Sequence, residues 1–222
     1  PGQAYNKRTD THIMEEFFQQ LTNGLAVGCI YALIALGYTM VYGILRLINF
    51  AHGDLFTLGA YLGLTLLTSL GLSGMMSGML VALVLIILSM VLVAVAGFLL
   101  ERVAYRPLRR SDRLAAVVSA LGASIFCQNA IMLVYGARSQ VYPSGILPTA
   151  SIPVFGIEIS LMRFVMFGIS LLLMLLLYWF IHRTKTGTAI RAVAIDQDAA
   201  KLMGIDVNRI ISLIFLIGPA LG

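Results

Sequence analysis

Asn49, His52 and Asp54 stand close together, with Gly53 between the last two, in the stretch LINFAHGDLFTLGAY (residues 47–61). Roughly 25 mostly apolar residues (21–45) precede this polar patch and roughly 18 more (55–72) follow it; each run spans or nearly spans a hydrocarbon core about 30 Å thick. Polar groups in such a place lie at a membrane surface or within the membrane, where ionisable residues mark functional sites and a broken helix must line a cavity or be buried in protein. Gly53 offers the freedom for a break, Asn49 is placed to cap the following helix, and Asp54 suits its positive end. Two readings follow: a capped turn between two helices, or an element lining or gating a transport route. A second polar group lies on residues 114–135, where Ser124 and Gln128 share one helical face.

The composition explains why such groups are few. Of 222 residues, 59% are hydrophobic and 11% charged, against about a quarter charged in a soluble domain; the mean hydropathy is +0.93. The fold class expected is all-α, a polytopic helical bundle in a membrane. The net charge of +5 reads as positive-inside bias and contact with membrane lipid, not nucleic-acid binding. Cys29 and Cys127 fall inside apolar runs and behave as small hydrophobes, and His12, His52 and His182 are too scattered for a metal site. No cleavable signal peptide is visible. Position 1 is not Met, and the last apolar run reaches only about 13 residues before Gly222, short of the about 20 a span needs, so the sequence reads as a piece of a longer chain. A single transmembrane domain over 1–222 is expected.

Along the chain, residues 1–12 are polar and without periodicity, a tail, and 13–20 have one apolar helical face suited to the membrane interface. The first span carries Gly24, Gly28 and Ala32 four apart, and the second Gly59 and Gly63, stripes that let another helix approach closely. A short uncharged loop (71–78) leads to a third span (79–100) and then to ERVAYRPLRRSDR (101–113), whose five arginines mark a cytoplasmic loop. The fourth span (114–135) is followed by a loop with Pro143, Pro148 and Pro153 (136–160), taken as outward-facing. A fifth span (161–181), a second basic loop (182–209) and the start of a sixth span at Ile210 complete the order. Counting back from the arginine loop puts the N-terminus outside.

The second basic loop, with TGTAIRAVAIDQDAAKLMGIDVNRI, is longer than a connection needs. Residues 189–193 and 198–203 read as short helices, Gly204 as a stop, and Asp196 and Asp198 sit where negative charge favours a helix start. Two short helices there make a docking surface; a solvated amphipathic connector is the plainer reading.

Three separated stretches in order, YALIALGYTMVYGILRLINFAHGDLFTLGAY, ERVAYRPLRRSDRLAAVVSALGASIFCQN and the loop just quoted, resemble the permease subunits of bacterial branched-chain amino acid ABC importers, over residues 21–218. The resemblance implies a bacterial inner-membrane permease, not itself an enzyme, that pairs with a second related permease or its own copy, two cytoplasmic ATPases and a periplasmic binding protein. ATP would then be used on the partners, with no cofactor on this chain, which carries no phosphate-binding Gly-x-x-x-x-Gly-Lys-Ser/Thr loop. It also implies that residues 194–205 are the ATPase-coupling segment. The family's Glu-Ala-Ala-x-x-x-Gly pattern falls on Asp198, Ala199, Ala200 and Gly204, with Asp replacing Glu, and Ala194, Asp196 and Ile205 frame it. Asn49, His52, Gly53, Asp54, Ser124 and Gln128 are the expected substrate pathway or gate. Competing readings are a permease for urea, short-chain amides or another small solute; a secondary carrier; and an intramembrane serine protease built on Ser124 in Gly122-Ala123-Ser124, for which no base stands at similar depth.

Overall fold

The computed structural model describes residues 2–71, 78–109, 111–143, 151–154 and 157–221. In chain order the elements are α1 (Gly2–Leu45), α2 (His52–Ser69), α3 (Gly78–Leu100), a π-helical turn (Glu101–Tyr105), a 3-10 turn (Arg106–Leu108), α4 (Arg113–Tyr135), a hairpin of β1 (Ser151–Val154) and β2 (Ile157–Ser160), α5 (Leu161–Arg183), α6 (Lys185–Ile195), α7 (Gln197–Leu202) and α8 (Val207–Leu221). Four stretches are long and apolar enough to cross a membrane: Glu16–Leu45, Gly78–Leu108, Leu114–Tyr135 and Leu161–Arg183. Two of the six expected spans fall outside that set. α2 has 18 residues, and His52 and Asp54 in its first turn dilute its apolar character; α8 has 15 residues, about 22 Å of helix. The architecture is an all-α polytopic membrane bundle with one small hairpin.

Three expectations change. Residues read as a tail continue, from Gly2, the same 44-residue helix that holds the first span. The proline-bearing loop is partly ordered as antiparallel strands, with Pro153 facing Glu158 in the register; Pro148 and most of the uncharged loop at 71–78 lie outside the described residues. The glycine stripe of the first span is not the contact face: a Cβ on Gly24 or Gly28 would meet nothing within 4 Å. The close approaches lie deeper. A Cβ on Gly37 would come within 2.3 Å of the Gly218 carbonyl oxygen, and one on Gly97 within 2.4 Å of the Phe215 carbonyl oxygen and 2.7 Å of Pro219. Small residues here let α8 wedge between α1 and α3 with backbones nearly touching.

The main core forms around α8. Val41 and Ile44 of α1, Tyr105, Ile190 and Val193 of α6 and Ala200 of α7 pack on Ile210, Ile211, Ile214 and Phe215. By contrast α4 and α5 keep most of their surface outside this core, with Phe126, Leu133, Leu172 and Trp179 all more than half exposed, as expected of faces solvated by lipid. Glu101 ties the bundle end together. It is 0% exposed, pairs with the Arg109 guanidinium and accepts a hydrogen bond from Ser212 Oγ at 2.8 Å, while Arg109 Nη1 donates to Asn208 Oδ1 at 2.7 Å. A carboxylate read as part of a cytoplasmic loop is the most deeply buried charge among the described residues.

Adding a methyl at Gly37 or Gly97 is expected to lower the thermal midpoint of the isolated subunit in detergent, at a cost of about 1–3 kcal/mol, whereas Gly24→Ala and Gly28→Ala leave it unchanged. Equal shifts at all four positions would refute this packing. Glu101→Ala strands a half-buried guanidinium and should cost about 3–5 kcal/mol; a midpoint matching the parent would show that the pair does not hold the structure.

Candidate functional site

The chain leaves α1 through a non-helical elbow at residues 46–51. α1 ends in a left-handed residue, Arg46 at φ 52°, whose N–H donates to the Tyr42 carbonyl at 2.8 Å. A non-glycine residue in this region is uncommon and carries a conformational cost, so contacts elsewhere hold it. Arg46 Nη2 donates to the Ile195 carbonyl at 3.3 Å, and Gln197 Nε2 donates to the Ile44 carbonyl at 2.8 Å. The end of α1 is thereby fixed to the junction of α6 and α7. The break lies here, and Gly53 is an exposed residue inside the first turn of α2 with open space around it.

Asn49 does not cap α2. The cap position is Ala51, which makes no side-chain bond, and Asn49 Oδ1 accepts instead from the Tyr105 hydroxyl at 2.7 Å in a buried contact. This bond joins the elbow to the π-helical turn that bears Glu101. His52 is 3% exposed, and its ring meets Tyr38 of α1 edge-on at 5.7 Å. The Ile34 carbonyl faces the ring, but neither ring nitrogen, nor Asn49 Nδ2, forms a hydrogen bond of good geometry among the described residues. Asp54 Oδ2 accepts from Ser124 Oγ at 2.5 Å, and Ser124 Oγ accepts from Gln128 Nε2 at 3.3 Å. Six residues expected in one site thus fall into a relay (Asp54, Ser124, Gln128) between α2 and α4, two anchored groups (Asn49, His52) facing the π-turn and α1, and Gly53.

None of these six lines the apolar cavity enclosed between α2 and its neighbours. That cavity, about 410 Å³, lies on another face of α2, among Phe56, Gly59, Ala60, Gly63 and Leu67, with walls from α1, α3, α5 and the end of α8. Its lining is apolar apart from Ser89, Ser170 and Tyr142. Tyr142 reaches in from the loop after α4 and donates to the Ala60 carbonyl at 2.8 Å. It fits because residue 63 is glycine: a Cβ there would lie 2.5 Å from the Tyr142 hydroxyl. The small residues of the second span let α3 approach as expected, a Cβ on Gly59 lying 3.2 Å from Val93 and one on Gly63 3.2 Å from Ser89, and Gly63 makes room for the tyrosine as well.

The segment expected to couple to an ATPase, residues 194–205, is well formed. Asp196 caps α7, its Oδ1 accepting from Asp198 N at 2.8 Å and Ala199 N at 3.1 Å. The Ala199 and then the Asp198 N–H hold its carboxyl below the usual aspartate range, so the cap is complete above that range and fades only as pH falls through the lowered value. Gly204, at φ 81°, ends the helix; Gly204 N donates to the Lys201 carbonyl and Ile205 N to the Ala200 carbonyl, each at 3.0 Å. These two bonds make a Schellman stop that needs a left-handed residue. α6 extends well beyond the helical piece expected at 189–193, from Lys185 to Ile195. Ala194 is half-buried and Ala200 buried in the core, while Ala199 and the side chains of Ile195 (77%), Leu202 (89%) and Met203 (82%) project outward. Asp198 pairs with Lys201 at 2.8 Å on the exposed face.

Tyr105, Glu101, Arg109, Arg46 and Gln197 were missed as site residues. Glu101 carried a signal, a carboxylate directly abutting the 23 residues of α3, which contain no charge; the others depend on contacts between distant parts of the chain.

Residues 20–222 match the family described as branched-chain amino acid transport system / permease component. The chain is 44% identical over 209 residues to the high-affinity branched-chain amino acid transport system permease protein BraD of Pseudomonas aeruginosa, covering 92% of this chain and 68% of that protein. It is 41% identical over 208 residues, with the same coverage, to the high-affinity branched-chain amino acid transport system permease protein LivH of Escherichia coli. A probable branched-chain amino acid transport permease protein LivH of Methanocaldococcus jannaschii is 30% identical over 184 residues, 80% of this chain and 55% of that one. No solved structure matches. With the family match running from residue 20 to 222, a stretch that includes the elbow, the arginine-rich turn and α7, the chain belongs to the permease components of branched-chain amino acid transport systems.

Proposed function

We propose that this chain is a membrane-spanning, non-enzymatic permease subunit of an ATP-driven importer for branched-chain amino acids, in the cell inner membrane. Its ATPases and periplasmic binding protein are separate subunits, and a second permease completes the passage. The observation that carries this reading is the coupling segment: a short helix capped at both ends, anchored by Ala200, that presents Ile195, Leu202 and Met203 to the outside. Exposed apolar groups clustered on a polar, charged segment mark a protein-binding surface, and an ATPase is the partner that the family relation supplies. The arginines of residues 101–113 and the basic residues of 182–209 support a cytoplasmic side for this face and, counting spans back, an outside N-terminus for α1.

The two chemistries of an aliphatic amino acid find two environments. The apolar cavity beside Gly59 and Gly63 suits the side chain, and its size falls within the usual range for small-molecule sites. The elbow is the gate. Two bonds tie the α6–α7 junction to Ile44 and Arg46 at the end of α1, from which the elbow leads into α2, and the Asn49 amide and the His52 ring beside it are the polar groups left to exchange partners as the elbow moves. Selection among amino acids rests with the binding protein.

Affinity capture of the full-length protein from native membranes should recover two ATPases and a second permease, and Leu202→Asp with Met203→Asp should release the ATPases while leaving the permease pair. A stable complex without an ATPase would move a secondary carrier to the front. Asp196→Ala should lower transport per ATP hydrolysed in reconstituted vesicles and Asp196→Asn, which still caps, should retain most of it, with no change for the parent between pH 6 and 8; equal losses in both variants would show that the charge, not the cap, matters. Asp54→Ala and Ser124→Ala should each cut transport with assembly intact. Normal uptake in both would remove the relay from the gate.

A further inference from the structure

A groove of about 440 Å³ opens where the end of α3 meets the start of α8, bounded by Phe98, Arg102 and Arg106 on one side and Arg209, Leu213 and Leu216 on the other. Each wall is a run of residues three or four apart, so each presents one helical face. On both walls the guanidinium groups stand toward the coupling end and the apolar side chains toward the bundle centre. α3 has 23 residues, about 34 Å of helix, so Arg102 and Arg106 emerge just past one hydrocarbon thickness, at the depth of lipid phosphates. The apolar wall runs on into Val91, Val95 and Leu99, exposed on the outer face of α3.

The positive charge is not neutralised from within. Glu101, one residue away, is spent on Arg109 and Ser212. Asp206 is the carboxylate of the groove; it caps α8 through the Asn208 and Arg209 N–H groups and pairs with Arg209 Nε at 2.9 Å. Neither Arg102 nor Arg106 forms an ion pair among the described residues. Two exposed guanidinium groups at the polar end of a groove that also holds Asn208 and Ser212, and whose other end is lined by Phe98, Leu213 and Leu216, match a molecule with a phosphate head and an acyl tail. We propose that this groove is a binding site for one anionic phospholipid, its phosphate held by Arg102 and Arg106 and an acyl chain laid along Phe98, Leu213 and Leu216. The site is separate from the gate and does not rest on the substrate reading.

The test is native mass spectrometry of the full-length permease, delipidated and titrated with phosphatidylglycerol or with phosphatidylcholine of the same acyl chains. One phosphatidylglycerol should be retained in preference to phosphatidylcholine, and Arg102→Gln with Arg106→Gln should weaken retention on the order of 30-fold, from about 1 kcal/mol per basic group near the surface. Arg138→Gln, in the loop after α4, is the control for general charge and should change nothing. Arg102→Lys with Arg106→Lys, in case the glutamine pair does not fold, should keep most of the retention. Equal retention of both lipids, or an equal loss in the Arg138 variant, would overturn the site. Displacement of the lipid by millimolar inorganic phosphate, with no dependence on acyl chains, would show a site for soluble phosphate instead and equally overturn the lipid assignment.

Discussion

A buried carboxylate sets the terms for one end of this molecule. Glu101 is fully removed from solvent, and an uncompensated charge there would cost more than the fold can supply. Its compensation requires Arg109 to fold back over the turn and Ser212 to lie alongside, which fixes the arginine-rich turn against α8. The backbone adapts by widening into a π-helical turn over Glu101–Tyr105, a distortion that tends to occur where side chains need re-aiming. That widening carries Tyr105 to Asn49 and to Phe215, whose ring centroid lies 5.1 Å from its own. One ion pair thereby orders the turn, the elbow and the central helix.

A mechanical consequence follows from where these bonds fall. The elbow is held on one side by Tyr105 and on the other by Arg46 and Gln197, which bind the α6–α7 junction. The first group belongs to the helix bundle and the second to the segment that carries the exposed Ile195, Leu202 and Met203. A force on α7 therefore reaches the end of α1 through two side-chain bonds to backbone carbonyls, without having to pass through the whole bundle. Arg46 sits in the left-handed region, where a bulky side chain is costly to keep, and such a residue is a natural place for the chain to change conformation.

The parts legible in the sequence are those set by local rules. Hydropathy placed the apolar segments, because lipid leaves no alternative to helices. The stop at Gly204 and the helix start near Asp196 followed from capping chemistry, and the pairing of Ser124 with Gln128 from helical spacing. Asp54 joining Ser124 was not derivable from spacing, although both were singled out as polar groups in apolar surroundings. Where the reading failed, two local rules competed. Asn49 had the chemistry of a cap, but Tyr105 offered it a buried bond; Gly53 had the freedom of a hinge, but Arg46 took the strained position because its guanidinium is anchored at Ile195. The Gly24 and Gly28 stripe had the spacing of a contact face, yet Gly37 and Gly97 meet α8, since only tertiary placement decides which small residue faces a neighbour.

The separation of polar relay from apolar cavity has an energetic reason. α2 presents Asp54 toward α4 near its start and Gly59, Ala60 and Gly63 toward the cavity along its length. A charged group within the cavity would have to be desolvated with little to meet it, so permanent polar side chains there would cost the empty state dearly. Placing Asp54 instead against Ser124, outside the cavity, where the carboxylate accepts a hydrogen bond, removes that cost.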